Sequence, residues 1–171
     1  LFVKSGLRPG QTMLVQGASG GVNTALIQLG RAAGMQVWAT GRTEAKRALA
    51  QKLGAHATFE SGARLPDRVD GVFDNVGRQT WSHSLRALKP GGVLVTCGAT
   101  TGDATASELQ RVFFLQLRII GSTMGTRSEL ADLLSFCVQA GIRPQIGAEL
   151  PMTEAAKAFQ LMMNGETGGK V

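Results

Sequence analysis

Val15-Gln16-Gly17-Ala18-Ser19-Gly20-Gly21-Val22-Asn23-Thr24 joins an apolar run at 13–15 to an amphipathic run at 22–33, with a glycine-rich turn between them. Glycines let backbone N–H groups approach a ligand without Cβ interference, and the helix that follows presents its positive end, so the turn suits a phosphate or pyrophosphate. A dinucleotide turn of the G-x-G-x-x-G kind needs small residues for the bend, for approach to pyrophosphate and for helix–strand packing. There is no literal match; aligning on Gly-Gly-Val puts Ala18, Gly20 and Asn23 at the three positions, with Gly17 just ahead. A purely structural strand-to-helix connection is the competing reading of this turn.

The second apolar run ends at Thr40 and is followed by Gly41-Arg42-Thr43-Glu44-Ala45-Lys46. An NAD-preferring site places an acid about 20 residues after the turn, to bind the ribose 2′-hydroxyl. A neutral Gly41 removes repulsion toward a 2′-phosphate. Arg42 can form bidentate charge-assisted bonds to it, and Lys46, one helical turn along, can add a point charge. NADP is therefore expected over NAD. Glu44, at a first helical position, reads as either a ribose ligand or a partner of the helix dipole; Arg42 and Lys46 also fit a plain solvated surface.

Other strand ends carry Asp74-Asn75-Val76-Gly77, Gly98-Ala99-Thr100 and Ser122-Thr123-Met124-Gly125. Ligands of open α/β sheets bind at such carboxyl ends, so Asn75, Val76, Gly98 and Ala99 are candidates for the remaining length of a dinucleotide; each alone also reads as a turn residue. A P-loop is excluded because no Gly-Lys-Ser/Thr follows the glycines. A Tyr-x-x-x-Lys catalytic pair is impossible in a chain without tyrosine. Gly41 argues against a methyltransferase, which wants an acid there. No acid/base or nucleophilic constellation is visible: His56 follows a Gly-Ala turn and His83 lies in a helical pattern, so both read as surface or capping histidines. Asp74 reads as a turn or cap residue, with catalysis the alternative. No catalytic residue and no metal ligand set is assigned.

These residues need a frame. Apolar runs at 13–15, 37–40, 57–59, 71–73, 93–97 and 118–121 alternate with helical patterns, which predicts a doubly wound, three-layer α/β (Rossmann) domain with a parallel sheet of about six strands. Helices are expected over 22–33, over 45–53 with Gly54 as stop, and from Trp81 to a Lys89-Pro90-Gly91-Gly92 stop. Capping boxes at Thr105-Ala106-Ser107-Glu108 and Thr126-Arg127-Ser128-Glu129 are expected to open two more, the second running to Gly141, and a last helix spans 153–164 before Gly165.

With 171 residues, 43% hydrophobic, the chain can bury a core. No apolar stretch approaches the roughly 20 residues of a membrane span and no signal peptide opens the chain, so a cytoplasmic location is expected. Cys97 and Cys137 have no metal or disulfide spacing and are expected as core thiols. The net charge of +6 is spread from Lys4 to Lys170 with few aromatics, so nucleic-acid binding is disfavoured; a non-enzymatic dinucleotide-sensing or nucleic-acid-binding module is nonetheless the rival to an enzyme domain. Leu1-Phe2-Val3 reads as the tail of an apolar helix and Lys170-Val171 as the start of a strand, so an excised domain is expected: a tail and linker at 1–10, the Rossmann domain at 11–150, and a helix with a return segment at 151–171.

Taken in order, Gly6-Leu7-Arg8-Pro9-Gly10-Gln11-Thr12, Gly17-Ala18-Ser19-Gly20-Gly21-Val22, Leu53-Gly54-Ala55 and Phe73-Asp74-Asn75-Val76-Gly77 make the first half of a resemblance. Leu88-Lys89-Pro90-Gly91-Gly92, Gly121-Ser122-Thr123-Met124-Gly125-Thr126-Arg127 and Gly168-Gly169-Lys170-Val171 complete it. The chain resembles, almost end to end, the cofactor domain of the medium-chain dehydrogenase/reductase superfamily, the zinc-type alcohol dehydrogenases and quinone oxidoreductases. The resemblance implies hydride transfer between a nicotinamide cofactor and an alcohol, carbonyl or activated double bond. It places the cofactor along Ala18, Ser19, Gly20, Gly21 and Val22, with Gly41, Arg42 and Lys46 by the 2′-phosphate and Asn75, Val76, Gly98 and Ala99 along the rest. It assigns substrate binding, and any catalytic zinc, to a domain outside this segment, so the segment alone is expected to be catalytically silent, and it makes a homodimer joined at sheet edges the expected assembly. Two departures stand out. Asn23 replaces the family's third glycine, so the first helix must sit farther from the sheet or use the Asn side chain in a hydrogen bond, and Ser61 stands where some relatives place an aromatic side chain near the adenine.

Overall fold

The structure is a computed structural model that describes residues 1–104 and 106–171. Six strands, β1 (Thr12–Val15), β2 (Gln36–Thr40), β3 (Ala57–Phe59), β4 (Val69–Asp74), β5 (Leu88–Thr96) and β6 (Arg118–Gly121), form one sheet in the order β3-β2-β1-β4-β5-β6. Every neighbouring pair is parallel. The doubly wound sheet expected from the alternation of patterns is therefore present. Its order reverses between β1 and β4, and ligands of open α/β sheets bind at such a switch point, outside the carboxyl ends of the strands.

The inner strands β1 and β4 and the 92–95 stretch of β5 read as unbroken apolar runs because both faces are covered. Met13, Val15, Val37, Ala39 and Phe73 pack with Ile27 of α2 (Gly21–Ala32) on one face. The alternate residues Leu14, Val72 and Leu94 pack with Leu85 of α4 (Trp81–Ala87) on the other. The period of two along each strand thus divides the core into two layers. Gly30 of α2 lets that helix lie close to the sheet: a Cβ there would stand 3.1 Å from Val37 Cγ2.

The remaining helices are α1 (Phe2–Ser5), α3 (Glu44–Lys52), α5 (Leu109–Phe114), α6 (Arg127–Ala140) and α7 (Ala155–Met163), the last preceded by a 3₁₀ turn at Met152–Glu154. The box at Thr126 forms in full, with Glu129 N–H on the Thr126 hydroxyl and the Glu129 carboxylate on Thr126 N–H. Those bonds, the backbone N–H first, keep the Glu129 carboxyl below its usual range. Gly141 closes α6 in the left-handed region at φ 65°.

Several expectations are corrected. Thr105 lies outside the described residues, and α5 opens instead after Glu108, at φ 50°, with no side-chain cap. The Lys89-Pro90-Gly91-Gly92 segment does not separate helix from strand: α4 ends at Ala87, and β5 begins at Leu88, which pairs with Val69 before a register shift resumes pairing at Gly71 and Val93. Cys97 is exposed, since it follows the last residue of β5 at the sheet's open edge, and Cys137 is half-buried on α6, which has no buried residue. His83 is buried rather than superficial.

His56 is exposed, and its Nδ1 accepts the Val37 N–H at 2.9 Å while Arg31 contacts Nε2. Desolvation, then the Arg31 charge, hold its pKa below the ordinary 6.5. The folded chain thus disfavours the imidazolium, so this contribution to stability is complete above pH 6.5 and fades as pH falls toward the lower folded value. His56→Asn, which keeps an acceptor but does not titrate, is expected to flatten the decline in melting temperature between about pH 7 and 5. Thermal unfolding across that range checks it; an unchanged decline refutes it.

Candidate functional site

The site is built where β1 gives way to α2. Ala18 N–H donates to Thr40 O at 2.7 Å and Gly17 N–H to Thr40 Oγ1 at 3.2 Å, which ties the start of the turn to β2. Gly17 takes φ 81°, a conformation that disfavours side chains, and a Cβ on it would lie 3.2 Å from both Asn23 Nδ2 and Val76 Cγ2. Gly20 is the N-cap of α2 and supplies no side-chain cap; the helical ladder begins with Thr24 N–H on Gly20 O. The first amides of a helix have no intrahelical partner, so those of Gly21, Val22 and Asn23 lie at the N-terminal end of α2 with the positive pole of the helix.

Asn23, the irregular position, resolves the alternatives posed by the sequence. Its Nδ2 donates to Gln16 O at 2.9 Å and also to Gly17 O, and the residue is buried. The side chain pins the turn's incoming strand to the helix's first turn, doing with hydrogen bonds what a glycine does by close packing.

Across the switch point, Gly41 is buried after β2 and its N–H donates to Phe59 O. Arg42 is exposed and Lys46 half-buried. With Ser19 and Thr43 they line a cleft of about 500 Å³, whose opposite wall is the segment 164–168. Arg47, not among the expected site residues, donates from its guanidinium to Gly41 O at 2.9 Å and fixes the bend that follows β2. Thr43 caps α3 through Lys46 N–H, and Glu44 lies in the first turn as a dipole partner.

Asp74 ends β4 as a buried carboxylate that accepts Val76 N–H at 2.9 Å and Gly77 N–H at 3.1 Å. It is a turn residue, the blander of the two readings. The loop it shapes is laced to the next strand end: Thr100 N–H donates to Asn75 O and Thr101 N–H to Val76 O. A Cβ at Gly98 would lie 3.5 Å from Asn75 O, so Asn75, Val76, Gly98 and the exposed Ala99 form one continuous lip. The expected residues are therefore brought together in two groups, the cleft after β2 and this lip, with the turn between them. Ser61 is exposed.

Besides Arg47, a further contributor was missed. The carboxyl-terminal segment returns to the turn, where Gly169 N–H donates to Ser19 O at 2.9 Å, and Lys170 lies over α2 so that a Cβ on Gly21 would be 2.8 Å from its Nζ. The Gly168-Gly169-Lys170 motif carried the signal, but only the pairing of Gly169 with Gly20, far apart along the chain, places that ammonium at the helix N-terminus. Among the described residues, no three His, Cys, Asp or Glu side chains cluster as a metal site, and no helix is long and apolar enough to cross a membrane.

The strand order, the switch-point cleft and the glycine turn define a doubly wound domain of the kind that holds nucleotides at its strand ends. Comparison with known proteins makes this specific: the chain belongs to the zinc-binding dehydrogenase family, whose pattern it matches over residues 21–139. It is 30% identical to the acryloyl-coenzyme A reductase of Metallosphaera sedula across 98% of the chain and 52% of that protein. A solved NAD-dependent alcohol dehydrogenase superposes with a TM-score of 0.87 at 32% identity, over 96% of this chain and 51% of that one. The quinone oxidoreductase of Thermus thermophilus, solved also as its NADPH complex, gives 0.83 at 29%, over 98% and 58%. The chain spans about half the length of the curated relatives it matches.

Asn23→Ala is expected to cost about 1–3 kcal/mol, because two backbone carbonyls lose a buried donor. Urea denaturation measures this; a change within experimental scatter would show that the Asn23 bonds do not secure the turn.

Proposed function

We propose that the chain binds a nicotinamide dinucleotide, NADP(H) in preference to NAD(H), as the cofactor domain of an oxidoreductase. The observation that carries this reading is the convergence of Ser19, Arg42 and Lys46 on one cleft beside Gly41, a position without a carboxylate. A ribose 2′-phosphate there meets the Arg42 and Lys46 cations at the end of β2, while the carboxylate among the cleft's lining residues, Glu166, belongs to the 164–168 segment rather than to the end of β2. The two superposed relatives differ on this point, one being described as NAD-dependent and the other as an NADPH complex, so the residues after β2 are the ones to decide it.

In this reading the pyrophosphate lies along Ala18, whose own N–H is held by Thr40 O, and Ser19, Gly20, Gly21 and Val22, which offer it amides and the helix dipole, with Lys170 above them. Gly41, Arg42 and Lys46 receive the 2′-phosphate, and Asn75, Val76, Gly98 and Ala99 line the nicotinamide half. Glycines and small side chains fit that role because the backbone can approach the ligand closely. The cofactor, when bound, supplies a hydride at nicotinamide C4 for an alcohol/carbonyl or quinone/enone pair. The chain's residues orient it.

The division into a linker at 1–10, a dinucleotide domain at 11–150 and a return segment at 151–171 belongs to the same proposal. So does a catalytic domain of the same protein, which binds the small-molecule substrate and any zinc. Its support is apolar surface: Leu130, Leu134 and Val138 of α6 and Phe159, Met162 and Met163 of α7 are all exposed, more than a lone domain usually leaves in water. A homodimer through the edge strand β6 is supported by Ile119, 39% exposed on a strand that, among the described residues, pairs with β5 alone. A cytoplasmic location rests on the two free thiols, Cys97 and Cys137.

Calorimetric titration is expected to show tighter binding of NADPH than of NADH, with Arg42→Ala narrowing the gap by about 1–2 kcal/mol, the scale of one charge-assisted bond. Equal affinities before and after the substitution would overturn the assignment.

A further inference from the structure

Beneath the cleft, the ends of β2, β1 and β4 are joined by buried polar side chains whose donors and acceptors run in one direction. His83 Nε2 lies 2.9 Å from Ala63 O, and a carbonyl only accepts, so Nε2 carries the hydrogen and Nδ1 is the acceptor. Gln16 therefore turns its amide nitrogen to Nδ1, at 2.8 Å, which leaves Oε1 facing Thr40. The Thr40 hydroxyl donates to that oxygen at 2.7 Å and accepts Gly17 N–H at 3.2 Å. On the other side Gln16 Nε2 donates to Ser84 Oγ at 3.0 Å, and Ser84 donates to Asp74 Oδ2 at 2.6 Å. Asp74 takes the Thr80 hydroxyl as well, and its Oδ1 accepts Val76 and Gly77 N–H.

The series thus begins at an amide of the glycine turn and ends at the carboxylate that shapes the 75–77 lip. Gln16, Thr40 and Ser84 are wholly buried and Asp74 nearly so. Each hydroxyl has a single hydrogen, so a slip at any link leaves a buried donor or acceptor unpaired, the costly outcome in a low-dielectric interior. Such a series is held intact or broken; it does not deform gradually.

We propose that Gln16, Ser84 and Asp74 are positioning residues that couple the glycine turn to the lip beyond β4, so that a ligand ordering the 17–21 turn also orders the 75–77 loop. The proposal rests on the dinucleotide reading of the cleft. Its mechanism is that an anion on the turn restrains Gly17, the restrained Gly17 N–H fixes Thr40 and Gln16, and the fixed acceptor at Asp74 lowers the opening of the Val76 and Gly77 amides. A direct route also exists, because Val76 stands against Gly17, and the test must separate the two.

Adenosine 2′,5′-bisphosphate, which carries the adenosine end alone, is the probe, and amide hydrogen exchange of the 171-residue chain is the readout. Bound to the parent chain, it is expected to slow exchange at 75–77 by about fivefold or more, the lower end of ordinary coupling between sites. Ser84→Ala, which cuts the series by one oxygen, is expected to abolish that slowing while protection at 17–21 and affinity for the bisphosphate stay within about twofold; Gln16→Met is expected to do the same. Absence of slowing at 75–77 in the parent, or its survival in Ser84→Ala through the Val76 contact, overturns the coupling and leaves the dinucleotide reading standing. Failure of the parent to bind the bisphosphate overturns both.

Discussion

The exit of β1 from the core constrains everything at the strand ends. A strand buried on both faces must become, within about five residues, a helix whose first amides point outward. The backbone can do this only if the bend needs no side chain and the groups it strands are satisfied. Gly17 at φ 81° meets the first requirement, and Asn23, bonded to Gln16 O and Gly17 O, meets the second. Once this bend is set, Thr40 of β2 and Val76 beyond β4 are placed against it, one by hydrogen bonds and one by contact. The pole of α2, the cations after β2 and the 75–77 lip then converge on one edge of the sheet.

The interior beneath that edge is polar, with buried Gln16, Thr40, His83, Ser84 and Asp74 in a region otherwise apolar. Buried polar groups are tolerated when every member is partnered, and each named side chain here has its partner. Arg47 plays a similar part nearer the surface by gripping Gly41 O. The floor beneath the strand ends is therefore specified by hydrogen bonds rather than by packing alone.

The architecture was legible because two-sided burial writes strands as short apolar runs and because turns demand glycine: Gly141 and Gly165 both lie in the left-handed region where the helices were expected to stop. Arg42 and Lys46 were legible as neighbours of one cleft for a related reason, since they lie close together in sequence after β2. What was illegible is long-range. His83 looks superficial on its own helix, and its partner Gln16 is 67 residues away. Lys170 reaches the turn only through the pairing of Gly169 with Gly20. The start of β5 was hidden because Lys89-Pro90-Gly91-Gly92 is turn chemistry, yet the structure absorbs it in a strand irregularity beside Val69. What covers the apolar residues of α6 and α7 is not written in the sequence either, since Leu134 and Met163 are 57% and 80% exposed; an apolar stripe states that a face is to be covered, not by what.

If a single dinucleotide lies from Arg42 across the 17–21 turn to Asn75, the residues at its two ends must respond to the same ligand together. Backbone amide chemical-shift mapping during titration with NADPH reads both ends at once. Saturable shifts are predicted at Ser19, Gly20, Gly21, Val22, Arg42, Lys46, Val76 and Ala99, all following one binding curve. Shifts scattered over basic residues elsewhere, or confined to one end of the cleft with the other unmoved, would contradict a single dinucleotide site.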